Sequence, residues 1–102
     1  PAFIQKNGVF YIIETIDFTI PQKRRSRDHA GWSAYMFSDI RHVKRELESI
    51  AVVKVREEDK DNKEVAYGLE ILTNEANNIV DWLNPEMQNN FLEERESIAK
   101  TD

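Results

Sequence analysis

His29 and His42 are the only two histidines in the chain, and each has an arginine close by, in Arg27-Asp28-His29 and Arg41-His42. One imidazole as base and another as acid, with guanidinium groups to stabilise a charged phosphorane, would suffice for metal-independent cleavage of a phosphodiester. A small ribonuclease is therefore one function class to weigh. Two histidines thirteen positions apart are not a motif, however. His42 lies three residues from Asp39 and four from Glu46, a helical spacing at which an ordinary solvated ion pair is the simpler role. No catalytic residue is assigned.

Other chemistries lack their residues. The chain has no cysteine, which removes disulfides, thiolate metal sites and a sulfur nucleophile. No HxxxH, HxH or clustered carboxylate–histidine spacing occurs, so no metal site is expected. The glycines Gly8, Gly31 and Gly68 are scattered, and neither phosphate-cradling loop can be built from them. Ser26, Ser33, Ser38, Ser49 and Ser97 lack a nucleophile-elbow context, and Asp59 and Asp61 lack the glycine of a calcium loop. The reading is a non-enzymatic protein without a cofactor.

Charge is the feature that remains. Residues 23 to 45 carry seven bases, Lys23, Arg24, Arg25, Arg27, Arg41, Lys44 and Arg45, against Asp28 and Asp39, for a net of +5. Residues 46 to 102 carry a net of −9, in a chain whose overall charge is −5. Such polarity suggests a charged macromolecular partner.

The elements that must position these charges follow from periodicity. Phe3 to Lys6, Asn7-Gly8 and Val9 onward form a hairpin signal, because Asn-Gly tolerates the positive φ angles of a type I′ turn. Phe10, Ile12, Ile16, Phe18 and Ile20 alternate with polar residues as in a half-buried strand, which Glu14 and Ile13 interrupt and Pro21 ends. Trp32, Tyr35, Met36, Ile40, Val43, Leu47 and Ile50 fall within a sector of about 140°, which predicts an amphipathic helix near 32 to 50. Residues 51 to 55 and 65 to 71 alternate around a polar stretch, predicting a second hairpin with Glu57, Glu58 and Asp59 at its tip. Thr73-Asn74 offers a cap to a short helix carrying Ala76, Ile79, Val80 and Leu83. Asn84 as cap and Pro85 as first residue begin another, with Met87, Phe91 and Ile98 inward.

The expected architecture is a small single α+β domain over residues 1–102, ββαββαα, with an antiparallel sheet built from two hairpins. Trp32 and Trp82 read as core or half-core. No apolar run approaches the roughly 18 residues of a membrane span, and a cytoplasmic protein that meets no membrane is expected.

On this predicted helix Arg41, Lys44 and Arg45 lie opposite the apolar stripe with Phe37 among them, and the loop Lys23 to Arg27 enters the same surface. Cations around an exposed aromatic suit nucleic acid, through counterion release and base stacking. An anionic protein surface is the other partner of this kind. The expected function is thus a small regulatory protein that engages an anionic macromolecule, nucleic acid first, through these eight residues. The alternative is a protein-interaction or inhibitor module acting through the acidic half, with Glu57, Glu58 and Asp59 as its contact.

Overall fold

Asn7 and Gly8 turn the chain as their types predict, with φ of +51° and +80°, both in the left-handed region that a type I′ hairpin requires. They join β1, Ala2–Lys6, to β2, Val9–Asp17, in an antiparallel pair with Lys6 opposite Val9. The computed structural model describes residues 1–44 and 46–101, and side chains as far as Glu93.

Ile12, Ile16 and Phe18 of the predicted stripe are fully buried in the main core, with Phe10 packed against it. Ile13 interrupts the alternation because the opposite face is covered too. It joins Ile50, Val52, Val80 and Phe91 in a second cluster.

The first helix, α1, spans Lys23–Val43 rather than 32 to 50. Its buried face is Ser26, Ala30, Ser33, Ala34 and Phe37, small side chains that let a helix lie close on a sheet. Of the predicted stripe, Met36 and Ile40 pack partly against the core, whereas Trp32, Tyr35 and Val43 are exposed. The large aromatics dominate the apolar sector, whereas the face that packs is marked by Ser26 and Ser33, which do not register as apolar. Leu47 and Ile50 belong to the next strand, β3, Leu47–Lys54.

The predicted second hairpin is replaced by a helix. After a 3-10 turn at Glu57–Asp59, α2 spans Lys63–Glu75 with Val65, Gly68 and Leu72 buried. The alternation of Val65, Tyr67, Leu69 and Ile71 fits a strand over four residues. The same stretch fits a helix once Gly68 and Leu72 are counted, and Asn62 starts it by accepting from the backbone N–H groups of Glu64 (2.9 Å) and Val65 (3.2 Å). Gly68 has a steric role, since a Cβ there would lie 2.8 Å from Phe18 Cε1. Thr73 and Asn74 close this helix instead of capping another, and the expected helix after them is a strand, β4, Asn78–Asp81. Asn84 caps α3, Pro85–Thr101, as predicted, accepting from Glu86 N (3.1 Å) and Met87 N (3.3 Å). Phe91 faces inward and Met87 is exposed; the Ile98 side chain lies outside the described residues.

The sheet runs β1-β2-β3-β4, with β2, β3 and β4 mutually parallel. The α+β class stands, with three helices and a mixed sheet in place of two antiparallel hairpins. Parallel neighbours need a crossover, and α1 and α2 supply the two crossovers on the face of the main core, while α3 packs Phe91 on the other. Asn77 fixes β4 against β3: its Oδ1 accepts from Ser49 N (2.8 Å) and Ser49 Oγ (2.9 Å), and its own N–H donates to Ser49 Oγ (3.0 Å). Among the described residues no helix is long and apolar enough to cross a membrane.

Candidate interaction surface

The basic residues begin α1 and end it, so the helix decides where their charges go. Lys23, half-buried, donates to the Phe18 carbonyl (2.7 Å) and to Asp59 Oδ2 (3.1 Å). Arg27 bridges Asp28 Oδ1 (3.0 Å) and Glu64 Oε2 (2.8 Å). These carboxylates, Asp28 foremost, raise the pKa of its guanidinium. Arg41 reaches across to the end of α2, where it meets the Glu75 carboxylate (2.6 Å) and carbonyl (2.8 Å). The Lys44 ammonium sits 3.5 Å from the centroid of the Phe10 ring, a cation–π contact. Arg24 and Arg25 are exposed, with no ion pair among the described residues. Arg45 lies outside the described residues.

The charge split along the sequence is therefore largely closed in space. Bases of α1 face acids of α2 and of the 3-10 turn. Phe37, expected among the cations as an exposed stacking surface, is 0% exposed; its position is on the buried face of α1, one turn beyond Ser33 and Ala34. Base stacking on Phe37 is excluded by that burial. Of the acidic turn, Asp59 is drawn inward and holds Lys23, while Glu57, which pairs locally with Lys60 (2.9 Å), is exposed like Glu58. The contact with Glu57 raises the pKa of Lys60.

The histidines do not form a pair. Both belong to one unbroken helix, and thirteen residues of helix separate them by about 20 Å. His29 Nε2 lies 4.0 Å from Glu14 Oε2, so the acid that interrupts the apolar face of β2 finds its partner on α1. At the carboxyl end of β2, the Asp17 carboxyl is held below its ordinary value chiefly by hydrogen bonds from the Thr19 hydroxyl and N–H, with Lys54 and Arg56 adding to the effect.

The outward face of α1 carries aromatics instead. Trp32 is 69% exposed and Tyr35 64%, and their rings stack at 5.9 Å between centroids and 22° between planes. Tyr35 and Tyr67 also line a groove of about 740 Å³ between α1 and α2, floored by Gly31, Ala34 and Ile71. At this floor α2 comes close to Gly31, where a Cβ would make ordinary contact with Ile71 Cδ1 at 3.5 Å. Trp32 thus departs from the expected core role, whereas Trp82 keeps it, half-buried edge-on to Phe91 at 6.1 Å. A signal for the exposed pair was present: Asp28 precedes Trp32 by four residues and Asp39 follows Tyr35 by four, so charges share the face of both rings. Comparison with family models, with curated proteins and with solved structures finds no match.

Proposed function

We propose that this chain is a non-enzymatic protein-interaction module that docks through the outward aromatic face of α1 and the groove beside it. The observation that carries the reading is the Trp32–Tyr35 stack, two large rings held in solvent on a regular helix. Monomeric soluble surfaces seldom hold such rings together without use, and Trp and Tyr are enriched where binding energy concentrates. The groove adds Tyr67, itself exposed, and hydroxyl and amide groups of Ser38 and Asn74 that suit a polar rim. Most of the described cations of residues 23 to 44 already have partners within the fold, which lessens the case for a polyanion.

Nucleic acid stays as a second reading on one observation, the free Arg24 and Arg25 side by side at the start of α1. The two readings separate in a paired experiment. The chain, its Trp32→Ala/Tyr35→Ala variant and its Arg24→Ala variant are each used to capture host proteins and to titrate labelled oligonucleotides at low salt. The aromatic variant is expected to lose protein capture while the arginine variant keeps it, and no oligonucleotide binding is expected. Capture that survives loss of both rings rejects the aromatic face. Salt-sensitive oligonucleotide binding that the arginine variant loses puts nucleic acid in its place.

A further inference from the structure

The outward face of α1 has an internal symmetry that names its partner. Arg25, Trp32 and Asp39 are separated by seven residues each, so they form one line along the helix, with the base and the acid equidistant, about 10 Å, from the ring between them. All three are exposed. Asp28, Tyr35 and His42 run beside them at the same period, which alternates 3 and 4 over Arg25, Asp28, Trp32, Tyr35, Asp39 and His42. That is the heptad spacing of a helix that meets another helix. Here it lies wholly on the solvent side.

Resting on the protein-docking reading above, we infer that the occupant of this face is a second copy of the chain, its α1 antiparallel to the first about a two-fold axis at Trp32. A two-fold interface is self-complementary, so each residue must suit the one reflected through the axis. Reflection through position 32 sets Arg25 opposite the partner's Asp39 twice over. It stacks the Trp32 and Tyr35 plates of both copies at the centre. It also brings Val43, the most exposed large apolar residue of those described at 83%, to the partner's exposed Pro21.

The alternatives are electrostatically worse. Parallel helices would set Arg25 against Arg25 and Asp39 against Asp39. An antiparallel register centred between Trp32 and Tyr35 would set Asp28 against Asp39. Charges of this kind choose orientation and register while buried rings supply affinity. A pairing of one helix face is small, so a weak dimer with a dissociation constant of roughly 10 to 100 µM is expected.

The test is a charge swap read by light scattering and sedimentation over a concentration series reaching about 1 mM, well above the expected dissociation constant. The wild-type chain is expected to dimerise, with tryptophan emission shifting to the blue as it does, a shift that Trp82→Phe keeps. Arg25→Asp and Asp39→Arg, each at an exposed position, are each expected to weaken the dimer by about tenfold or more, since each sets like charges together twice. The double variant is expected to recover most of the wild-type constant. A wild-type chain that stays monomeric throughout overturns the inference, and so does a double variant no tighter than the singles. If the chain is monomeric but Trp32→Ala/Tyr35→Ala still abolishes protein capture, self-pairing falls and the docking reading stands. Capture indifferent to that variant removes the docking reading itself.

Discussion

Phe37 and Trp32 exchange the roles that their residue types suggest, and the exchange is measurable. Phe37 is fully enclosed among Ala30, Leu72 and the β2 side chains of the main core, so Phe37→Ala should leave a cavity and cost about 3 to 5 kcal/mol. Trp32→Ala removes a larger ring from solvent and should change stability by no more than about 0.5 kcal/mol. Urea unfolding of the two variants checks the pair; a Trp32→Ala loss as large as that of Phe37→Ala would place Trp32 in the core after all. Hydrophobicity ranks Trp32 and Phe37 alike, so composition cannot separate them. What separates them is their neighbours at helical spacing. Phe37 follows Ser33 and Ala34, which are small enough to approach a sheet, while Trp32 and Tyr35 share their face with Asp28 and Asp39. The cations follow the same logic. Lys23, Arg27 and Arg41 are visible in sequence as bases, but their partners Asp59, Glu64 and Glu75 lie 34 to 37 positions away. Only a decision about which elements touch reveals them.

At the scale of elements, what was legible is what short-range chemistry decides. Asn7-Gly8 dictates its turn through two positive φ angles, and Asn84-Pro85 dictates a helix start through one side-chain acceptor and one ring without an N–H. Residues 65 to 71 are not legible, because Val65, Tyr67, Leu69 and Ile71 alternate as in a strand, while the helical face Val65, Gly68 and Leu72 includes a glycine that does not register as apolar. The tie is broken by packing of residues distant in sequence. Gly68 is the place where that packing is tightest, with its missing Cβ taken up by the Phe18 ring. Gly68→Ala therefore sets two effects against each other. Helix propensity favours alanine by about 1 kcal/mol, while forcing a methyl into a filled contact costs about 1 to 3 kcal/mol. Because the nearest atoms are the edge of a fully buried ring that cannot swing away, overpacking should win, with net destabilisation of about 1 kcal/mol. Thermal unfolding of Gly68→Ala beside the exposed control Ala66→Gly measures both terms. A Gly68→Ala variant more stable than wild type would mean that Phe18 yields easily. The parallel strand β4 was equally hidden. Its place depends on Asn77 and Ser49 exchanging hydrogen bonds across 28 positions, which no local period announces.

For the molecule as a whole, whose net charge is −5, acid acts both diffusely and at one local contact. Loss of carboxylate charge in acid leaves 14 Lys and Arg and 2 His to repel one another. Asp17 reports the local part of this effect. It sits where β2 ends and the chain turns toward α1. There its carbonyl accepts from Ser26 Oγ (2.8 Å) and its carboxylate from the Thr19 N–H (2.8 Å) and hydroxyl. Those donors to the carboxylate favour the ionised form and lower its pKa in the folded chain below the ordinary 3.8. A depressed folded pKa means that the unfolded chain takes up the proton first. The stabilisation is therefore complete above about pH 5, begins to fall as the pH drops through 3.8, and is gone once the folded carboxyl is also protonated. Asp17→Asn should accordingly destabilise the chain by about 1 kcal/mol at pH 7, the worth of a partly exposed charge-assisted hydrogen bond. Its deficit relative to wild type should shrink steadily below pH 4, where both chains weaken together from general repulsion. Urea midpoints of the two chains measured from pH 7 downward give this difference directly. A deficit that stays constant or grows on acidification would show that Asp17 acts through packing and not through its charge. Adding salt should separate the two acid effects. It screens the diffuse repulsion among 16 cationic groups and leaves the short contact between Asp17 and Thr19 nearly untouched.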